Sequence, residues 1–150
     1  MFERTVDTPT GPMRLVEDDG AIVRTNWGQG RQDDTPLLLE AEAQLKDYFS
    51  GKREAFDLPL RVDGSDFQRA VCDAMLDIPF GYTCTYGDIS KKLGVPAQAV
   101  GQACGGNPIP VIIPCHRVMG AKGLTGFSGA GGVETKVQLL RLEGAGGFLI

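Results

Sequence analysis

Residues 112–118 read Ile-Ile-Pro-Cys-His-Arg-Val and place Cys115 beside His116, the one histidine of the chain. A thiol becomes a strong nucleophile when a base removes its proton, and imidazole is the usual base near neutral pH. Adjacent side chains rarely meet, so adjacency alone is weak evidence for a catalytic pair. The surroundings are more informative, because a proline-rich apolar segment precedes the pair and a glycine-rich segment, 120–132, follows it. We therefore predict a reactive thiol at the rim of a pocket.

Upstream of the thiol, residues 86–104 have the length and the turn of a helix-turn-helix. Thr85 is placed to cap the first helix with Asp88 at its third position, and Pro96 suits the first position of the second helix. The second helix should end at Gly105-Gly106 and is nearly bare of large side chains: it carries Ala97, Ala99, Gly101 and Ala103. Such a helix either packs tightly on a neighbour, which the pattern alone favours, or approaches a narrow DNA groove.

The remaining segments predict an α+β protein in two parts. Short strands are expected around a hairpin turn at Asp18-Asp19-Gly20, and apolar residues at helical spacing predict a helix over 36–49. The polar, proline-containing stretch 51–64 marks the boundary between the parts. The two predicted domains are 1–60, a small α/β domain, and 61–150, a mainly helical one.

Two more helices are predicted in the second part. One opens with a capping-box pattern at 65–68 and has an apolar face of Phe67, Val71, Met75 and Ile78. The other covers about 133–142 and is expected to present Val133, Val137 and Leu140 on one face.

The net charge of −4 is unevenly distributed along the chain. Residues 1–60 hold seven Lys/Arg against twelve Asp/Glu, whereas residues 61–150 hold eight against seven. The second part can therefore meet a phosphate backbone, although its affinity for DNA should be modest and sensitive to salt.

The four cysteines show no metal-site spacing, and the chain offers no second histidine, so the sequence predicts no zinc site. Reduced thiols in the cytoplasm are expected, with Cys72, Cys84 and Cys104 acting as small apolar core residues. No apolar run approaches a membrane span, and the first residues lack a signal-peptide core.

Four segments resemble the O6-alkylguanine-DNA alkyltransferase (methylated-DNA–protein-cysteine methyltransferase) family. They are Gly106-Asn107-Pro108-Ile109-Pro110 with Pro114-Cys115-His116-Arg117-Val118, Leu124-Thr125-Gly126-Phe127-Ser128-Gly129, and Leu139-Leu140-Arg141-Leu142-Glu143-Gly144. Tyr86-Gly87-Asp88-Ile89 fits the same family, and the match is strong from residue 65 to residue 144. The resemblance implies an RNase H-like N-terminal α/β domain followed by a helical DNA-binding and catalytic domain.

The resemblance also implies a reaction. The protein would bind double-stranded DNA, turn an O6-alkylguanine out of the stack and move the alkyl group irreversibly onto Cys115, with O4-alkylthymine as a further candidate substrate. His116 would take the thiol proton through a water, Glu143 would orient the imidazole, and Tyr86 would donate to the departing base. The thioether product would consume the protein, which is expected to be a monomer that needs no cofactor or metal.

Other residues match family positions. Asn107 would brace the turn before the active-site segment, Arg117 would be structural, and backbone groups of Val118 and Ser128 would read the guanine. The expected DNA-contacting residues are Gln98, Ala97, Ala99, Gly101, Gln102 and Gly105. Gln98 departs from the family, which usually has an arginine there that fills the gap left by the extruded base. We expect this chain to extrude well-paired bases poorly.

Three other functions remain open at this point. The chain could be a relative that recognises alkylated bases but transfers poorly, a hydrolase that uses a Cys-His-Glu triad, or a transcriptional helix-turn-helix protein. The retained Cys115 argues against the first, the helix-turn-helix is unexplained by the second, and the triad has no purpose in the third.

Overall fold

The computed structural model describes residues 1–120 and 132–145. The N-terminal part contains β1 (Phe2–Thr8), β2 (Gly11–Asp18), β3 (Ala21–Trp27) and α1 (Pro36–Phe49). The C-terminal part contains α2 (Asp66–Leu76), β4 (Cys84–Thr85), α3 (Tyr86–Leu93), α4 (Ala97–Gly105), a one-turn 3₁₀ helix (Cys115–Arg117), β5 (Val118–Met119) and α5 (Val133–Glu143). The predicted α+β fold class is confirmed.

The N-terminal part is an antiparallel meander in the order β1-β2-β3, with α1 packed on β1 and β2. Asp19 and Gly20 have φ angles of 50° and 77°, as the tight turn of a two-residue hairpin requires, which confirms the predicted turn. Thr35 caps α1 by accepting a hydrogen bond from the backbone amide of Leu38 over 3.1 Å. The predicted bounds of this helix are confirmed as well.

The helix-turn-helix is formed by α3 and α4. Thr85 Oγ1 accepts from the Asp88 amide over 3.0 Å and Asp88 Oδ2 accepts from the Thr85 amide over 2.9 Å, so the predicted capping box is present. Gly94 ends α3 in the left-handed conformation with a φ of 68°. The prediction for Pro96 was wrong by one position: its ψ of 142° is extended, so Pro96 is the N-cap and α4 begins at Ala97.

Two further predictions need correction. Ser65 caps α2, but Gln68 does not complete a capping box, because its side-chain amide donates to the carbonyl of Ala103 over 2.8 Å and joins α2 to α4. On α5, Val133 is 44% exposed. Leu140 is buried as predicted and Val137 is half-buried, and the helix also buries Thr135, Lys136, Leu139 and Glu143. The apolar pattern did not predict the buried face fully, because the side chains of Lys136 and Glu143 are buried with hydrogen-bond partners inside the protein.

The outer edge of β3 holds the segment that leads to the thiol. The Thr25 amide donates to the carbonyl of Pro108 over 3.0 Å, and Thr25 Oγ1 donates to the carbonyl of Pro110 over 2.8 Å. These bonds satisfy an otherwise open sheet edge and fix the chain just before Cys115.

Candidate active site and DNA-binding surface

A tight loop delivers Cys115 to the 3₁₀ helix. Asn107 closes the loop: its Oδ1 accepts from the Ile109 amide over 3.0 Å, and its Nδ2 donates to the carbonyl of Ile113 over 2.9 Å. Inside the loop, Val111 has a φ of 74°, a left-handed conformation that a β-branched residue rarely adopts. The neighbouring hydrogen bonds hold this strained backbone in place, so the position of the thiol is set by the loop as a whole.

The Glu143 carboxylate is the centre of a buried hydrogen-bond network. His116 Nε2 lies 2.8 Å from Glu143 Oε2, and Arg117 donates from Nε to Oε1 over 2.8 Å and from Nη2 to Oε2 over 2.9 Å. Tyr48, which lies on α1, donates its hydroxyl to Oε2 over 2.6 Å. Burial would raise the pKa of Glu143, but these hydrogen bonds hold it at about 2, so the carboxylate is ionised at neutral pH.

The hydrogen bond to Glu143 determines which nitrogen of His116 is available as a base. An ionised carboxylate only accepts, so Nε2 carries the proton and Nδ1 of the neutral ring presents a lone pair. Nδ1 is buried and has no hydrogen-bond partner among residues 1–120 and 132–145. It is therefore the atom that can take a proton from Cys115, directly or through a bridging water.

The Cys115 thiol and the His116 imidazole are both uncharged at neutral pH. Burial raises the pKa of the Cys115 thiol to about 11, against smaller opposing effects of the nearby Asn107 amide and the Lys136 ammonium. Burial likewise lowers the pKa of His116, and the Glu143 hydrogen bond offsets this only in part. At neutral pH these two side chains therefore do not form a thiolate–imidazolium ion pair.

A shallow groove lies on the surface of the helix-turn-helix. It has a volume of about 620 Å³, begins at Tyr86 and runs along α4, where its lining includes Ala97, Gln98, Gly101 and Gln102. A Cβ added at Gly101 would meet no neighbouring atom of residues 1–120 and 132–145 within 4 Å, so packing among these residues does not require glycine there. This contradicts tight packing on a neighbouring helix as the reason for Gly101 and leaves close approach of another molecule.

Tyr86 lines the groove and lies close enough to Cys115 for the two groups to interact electrostatically. It is half-buried, and burial, together with the nearby Cys104 and Cys115, raises the pKa of its phenol to about 12. The hydroxyl therefore keeps its proton at neutral pH and can act as a hydrogen-bond donor.

In residues 1–120 and 132–145, no three His, Cys, Asp or Glu side chains are grouped so as to hold a metal ion. The same residues include no helix that is long and apolar enough to cross a membrane.

Comparison with known protein families identifies both parts of the chain. Residues 1–62 match the family model described as the ribonuclease-like domain of 6-O-methylguanine DNA methyltransferase, and residues 66–145 match the DNA binding domain of the same protein. The chain belongs to the 6-O-methylguanine DNA methyltransferase family. The predicted resemblance and the RNase H-like N-terminal domain are thereby confirmed.

Individual members of the 6-O-methylguanine DNA methyltransferase family match over nearly the whole chain. The methylated-DNA–protein-cysteine methyltransferase of Methanosarcina acetivorans is 39% identical and covers 97% of this chain and 99% of its own length. The crystal structure of Mycobacterium tuberculosis O6-methylguanine methyltransferase superposes with a TM-score of 0.86 at 39% identity, covering 95% of this chain and 92% of that one. A structure of the Mycobacterium tuberculosis protein in complex with DNA gives a TM-score of 0.84, with the same identity and coverage.

The 6-O-methylguanine DNA methyltransferase fold brings most of the predicted site residues together. Cys115, His116 and Glu143 lie in one buried cluster, Asn107 closes the loop before them, and Tyr86 stands at the groove. The Val118 carbonyl accepts from Lys136 Nζ over 2.5 Å. Of the predicted DNA-contacting residues, Ala97, Gln98, Gly101 and Gln102 line the groove, whereas Ala99 and Gly105 are half-buried on α4 outside its lining. Ser128 and the segment 124–129 lie outside the described residues.

Two residues of the cluster were missed by the sequence analysis. Tyr48 was grouped with the apolar residues at helical spacing in 36–49, and Lys136 was not singled out. A buried tyrosine needs a hydrogen-bond partner, which is a general signal but does not identify the partner. For Lys136 the sequence carried no signal, since lysine is almost never fully buried.

Proposed function

We propose that this protein repairs DNA by direct reversal, transferring the alkyl group of an O6-alkylguanine irreversibly to Cys115. The observations that carry the proposal are the burial of Cys115, His116 and Glu143 in one cluster and the groove on the helix-turn-helix, which Tyr86 lines. A buried thiol next to a base suits attack on a group delivered into a pocket, and the alkylated oxygen of a paired guanine is reachable only after extrusion from the duplex.

Each step can be assigned to a group in the cluster. The Cys115 thiol gives its proton to Nδ1 of His116, and the resulting imidazolium is stabilised by the ionised Glu143. The sulfur attacks the alkyl carbon, a C–S bond forms, the C–O bond breaks, and its electron pair stays on the guanine. Tyr86, still protonated at neutral pH, donates a hydrogen bond to the departing base.

The product explains why each molecule should act once. A thioether has no carbonyl for water to attack, unlike the thioester of a cysteine hydrolase, so no step in the site regenerates the thiol. Repair would therefore be stoichiometric with protein and would need no cofactor.

We further propose domains at 1–60 and 61–150 and a cytoplasmic location. The matched family regions, 1–62 and 66–145, support a division near residue 60. The four cysteines are free, which suits a reducing compartment.

A second candidate function is recognition of alkylated bases without efficient transfer. It is favoured by one observation, that α4 carries no Lys or Arg to contact phosphate or to support an extruded base.

Intact-protein mass spectrometry separates the candidates. We expect one added methyl group per protein after mixing with a duplex that contains one O6-methylguanine. The adduct should be lost in Cys115→Ser and retained in Cys104→Ser, a matched control because Cys104 is also buried nearby. Tight binding without a mass change would favour recognition alone, and many turnovers of a small substrate without an adduct would favour a hydrolase.

A further inference from the structure

We propose that Tyr48 is a positioning residue of the alkyl-transfer site, whose hydroxyl fixes the Glu143 carboxylate that in turn orients and stabilises His116. The inference rests on the proposed function. It gives the N-terminal α1 a part in the chemistry, although Tyr48 is 95 positions from Glu143 in the sequence.

The geometry places Tyr48 on the same oxygen as the histidine. Glu143 Oε2 receives the Tyr48 hydroxyl at 2.6 Å and His116 Nε2 at 2.8 Å. Arg117 binds across both carboxylate oxygens, with Nη2 on Oε2 and Nε on Oε1. The arginine fork sets the plane of the carboxylate, and the tyrosine adds a donor to the one oxygen that meets the imidazole.

The Tyr48 hydroxyl is held in a fixed place. Its side chain is 1% exposed, and its ring contacts Phe49, Phe56 and Phe80 at centroid distances of 5.1, 5.3 and 6.2 Å. Such packing restricts the ring, so the hydroxyl donates from a defined position. Burial and the adjacent Glu143 raise the pKa of Tyr48, which makes the phenol a donor at every working pH.

A donor on Oε2 changes how Glu143 acts on His116. By drawing electron density from that oxygen, the hydroxyl weakens its attraction for a proton and keeps Glu143 ionised while the imidazole is charged. The other charged groups that act on the imidazole are Arg117 from the 3₁₀ helix and Lys136 from α5, and Tyr48→Phe leaves both in place.

A purely structural tyrosine would behave differently. If Tyr48 only joined α1 to the C-terminal part, its removal would lower stability without altering the proton affinity of His116. Phe56→Leu is the matched control, because it removes a ring that packs on Tyr48 and leaves the hydroxyl bond untouched.

The first test is an NMR titration of the imidazole in the full chain, which reports on His116 alone because the chain has one histidine. We expect the His116 pKa to rise in Tyr48→Phe, since an oxygen with one fewer donor attracts the imidazolium more strongly. It should stay at the wild-type value in Phe56→Leu. An unmoved pKa in Tyr48→Phe would overturn the proposal.

The second test is the transfer rate with free O6-benzylguanine, which avoids DNA binding and base extrusion. In Tyr48→Phe we expect the plateau rate to fall on the order of tenfold, because Glu143 loses one hydrogen bond that holds it in the position that orients the imidazole. The acid limb should move to higher pH together with the His116 pKa. The transfer rate from a duplex that contains O6-methylguanine should fall by the same factor. A wild-type rate in Tyr48→Phe would overturn this inference alone, whereas absence of transfer by the wild-type protein would overturn the proposed function.

Discussion

Lys136 Nζ, on α5, donates a 2.5 Å hydrogen bond to the carbonyl oxygen of Val118, and both residues are fully buried. Burial lowers the pKa of Lys136, whereas the nearby Cys115 and Cys104 raise it. The bond ties the residue after the 3₁₀ helix to α5 and brings a cationic group toward the thiol. Val118 is also a residue whose backbone is expected, from the family resemblance, to read the guanine.

Replacing this lysine should make the thiol a poorer acid. In Lys136→Met the opposing effect on Cys115 is lost, so we expect its pKa to rise above about 11 and alkyl transfer to slow on the order of tenfold. The measurement is the rate with free O6-benzylguanine across the pH range, with urea unfolding to report stability. Lys92→Met, which removes an exposed lysine, should keep the wild-type rate. A wild-type rate in Lys136→Met would contradict this effect on the thiol.

An arginine at Gln98 should accelerate reaction on duplex DNA. Gln98 is exposed in the groove, and an arginine there adds reach and charge to fill the gap left by an extruded base. We expect Gln98→Arg to speed transfer from a paired O6-methylguanine and to leave the rate with the free base unchanged.

The control for Gln98 is Gln102→Arg, which places the same charge one turn further along α4. It should tighten DNA binding without raising the rate at saturating DNA. Equal gains on duplex and free base in Gln98→Arg would mean that extrusion is not the step affected.

Gly101→Ala should separate stability from DNA binding. The added Cβ meets open space, and alanine favours a helix over glycine, so the free energy of unfolding should rise by about 0.5–1 kcal/mol. Duplex affinity should fall if the α4 backbone lies against DNA, and the free-base rate should not change. Unfolding by urea and fluorescence titration with duplex measure the two effects. Unchanged affinity in Gly101→Ala and also in Gly101→Leu would show that DNA does not approach this face.

The stability of the protein should fall as the pH is lowered from neutral. His116 has a lowered pKa in the folded state and titrates near its ordinary 6.5 when unfolded, so unfolding takes up a proton below pH 6.5. Glu143, with a folded pKa of about 2 and an ordinary value of 4.5, adds a loss on the order of 3 kcal/mol between those two pH values. Urea unfolding at a series of pH values measures both. Constant stability between pH 7 and pH 4 would contradict these shifts.

The parts of the fold that sequence predicted well are those set by neighbouring residues. The Thr85–Asp88 capping box and the bounds of α1 depend on contacts within one turn of helix, which spacing reveals. The capping box predicted at residues 65–68 was wrong because the side-chain amide of Gln68 bonds to a distant carbonyl, that of Ala103.

The sequence likewise indicated some residues of the candidate site and not others. Cys115 and His116 were visible as a local motif, and Glu143 became visible through family resemblance. Tyr48 was not, because its hydroxyl meets Glu143 only after the two parts of the chain have packed together, and Lys136 was not, because its partner is a backbone carbonyl 18 positions away.

The Glu143 network has a consequence for the cell, since one carboxylate holds α1, the 3₁₀ helix and α5 together and, in the proposed function, also supports the reaction. A substitution that removes it leaves buried donors unsatisfied and increases the fraction of unfolded chains, which proteases degrade. If each molecule repairs one base, the number of surviving molecules is the repair capacity. A substitution of Glu143 would thus shorten the lifetime of the protein as well as abolish alkyl transfer. Inactive molecules would then not accumulate and bind to damaged bases.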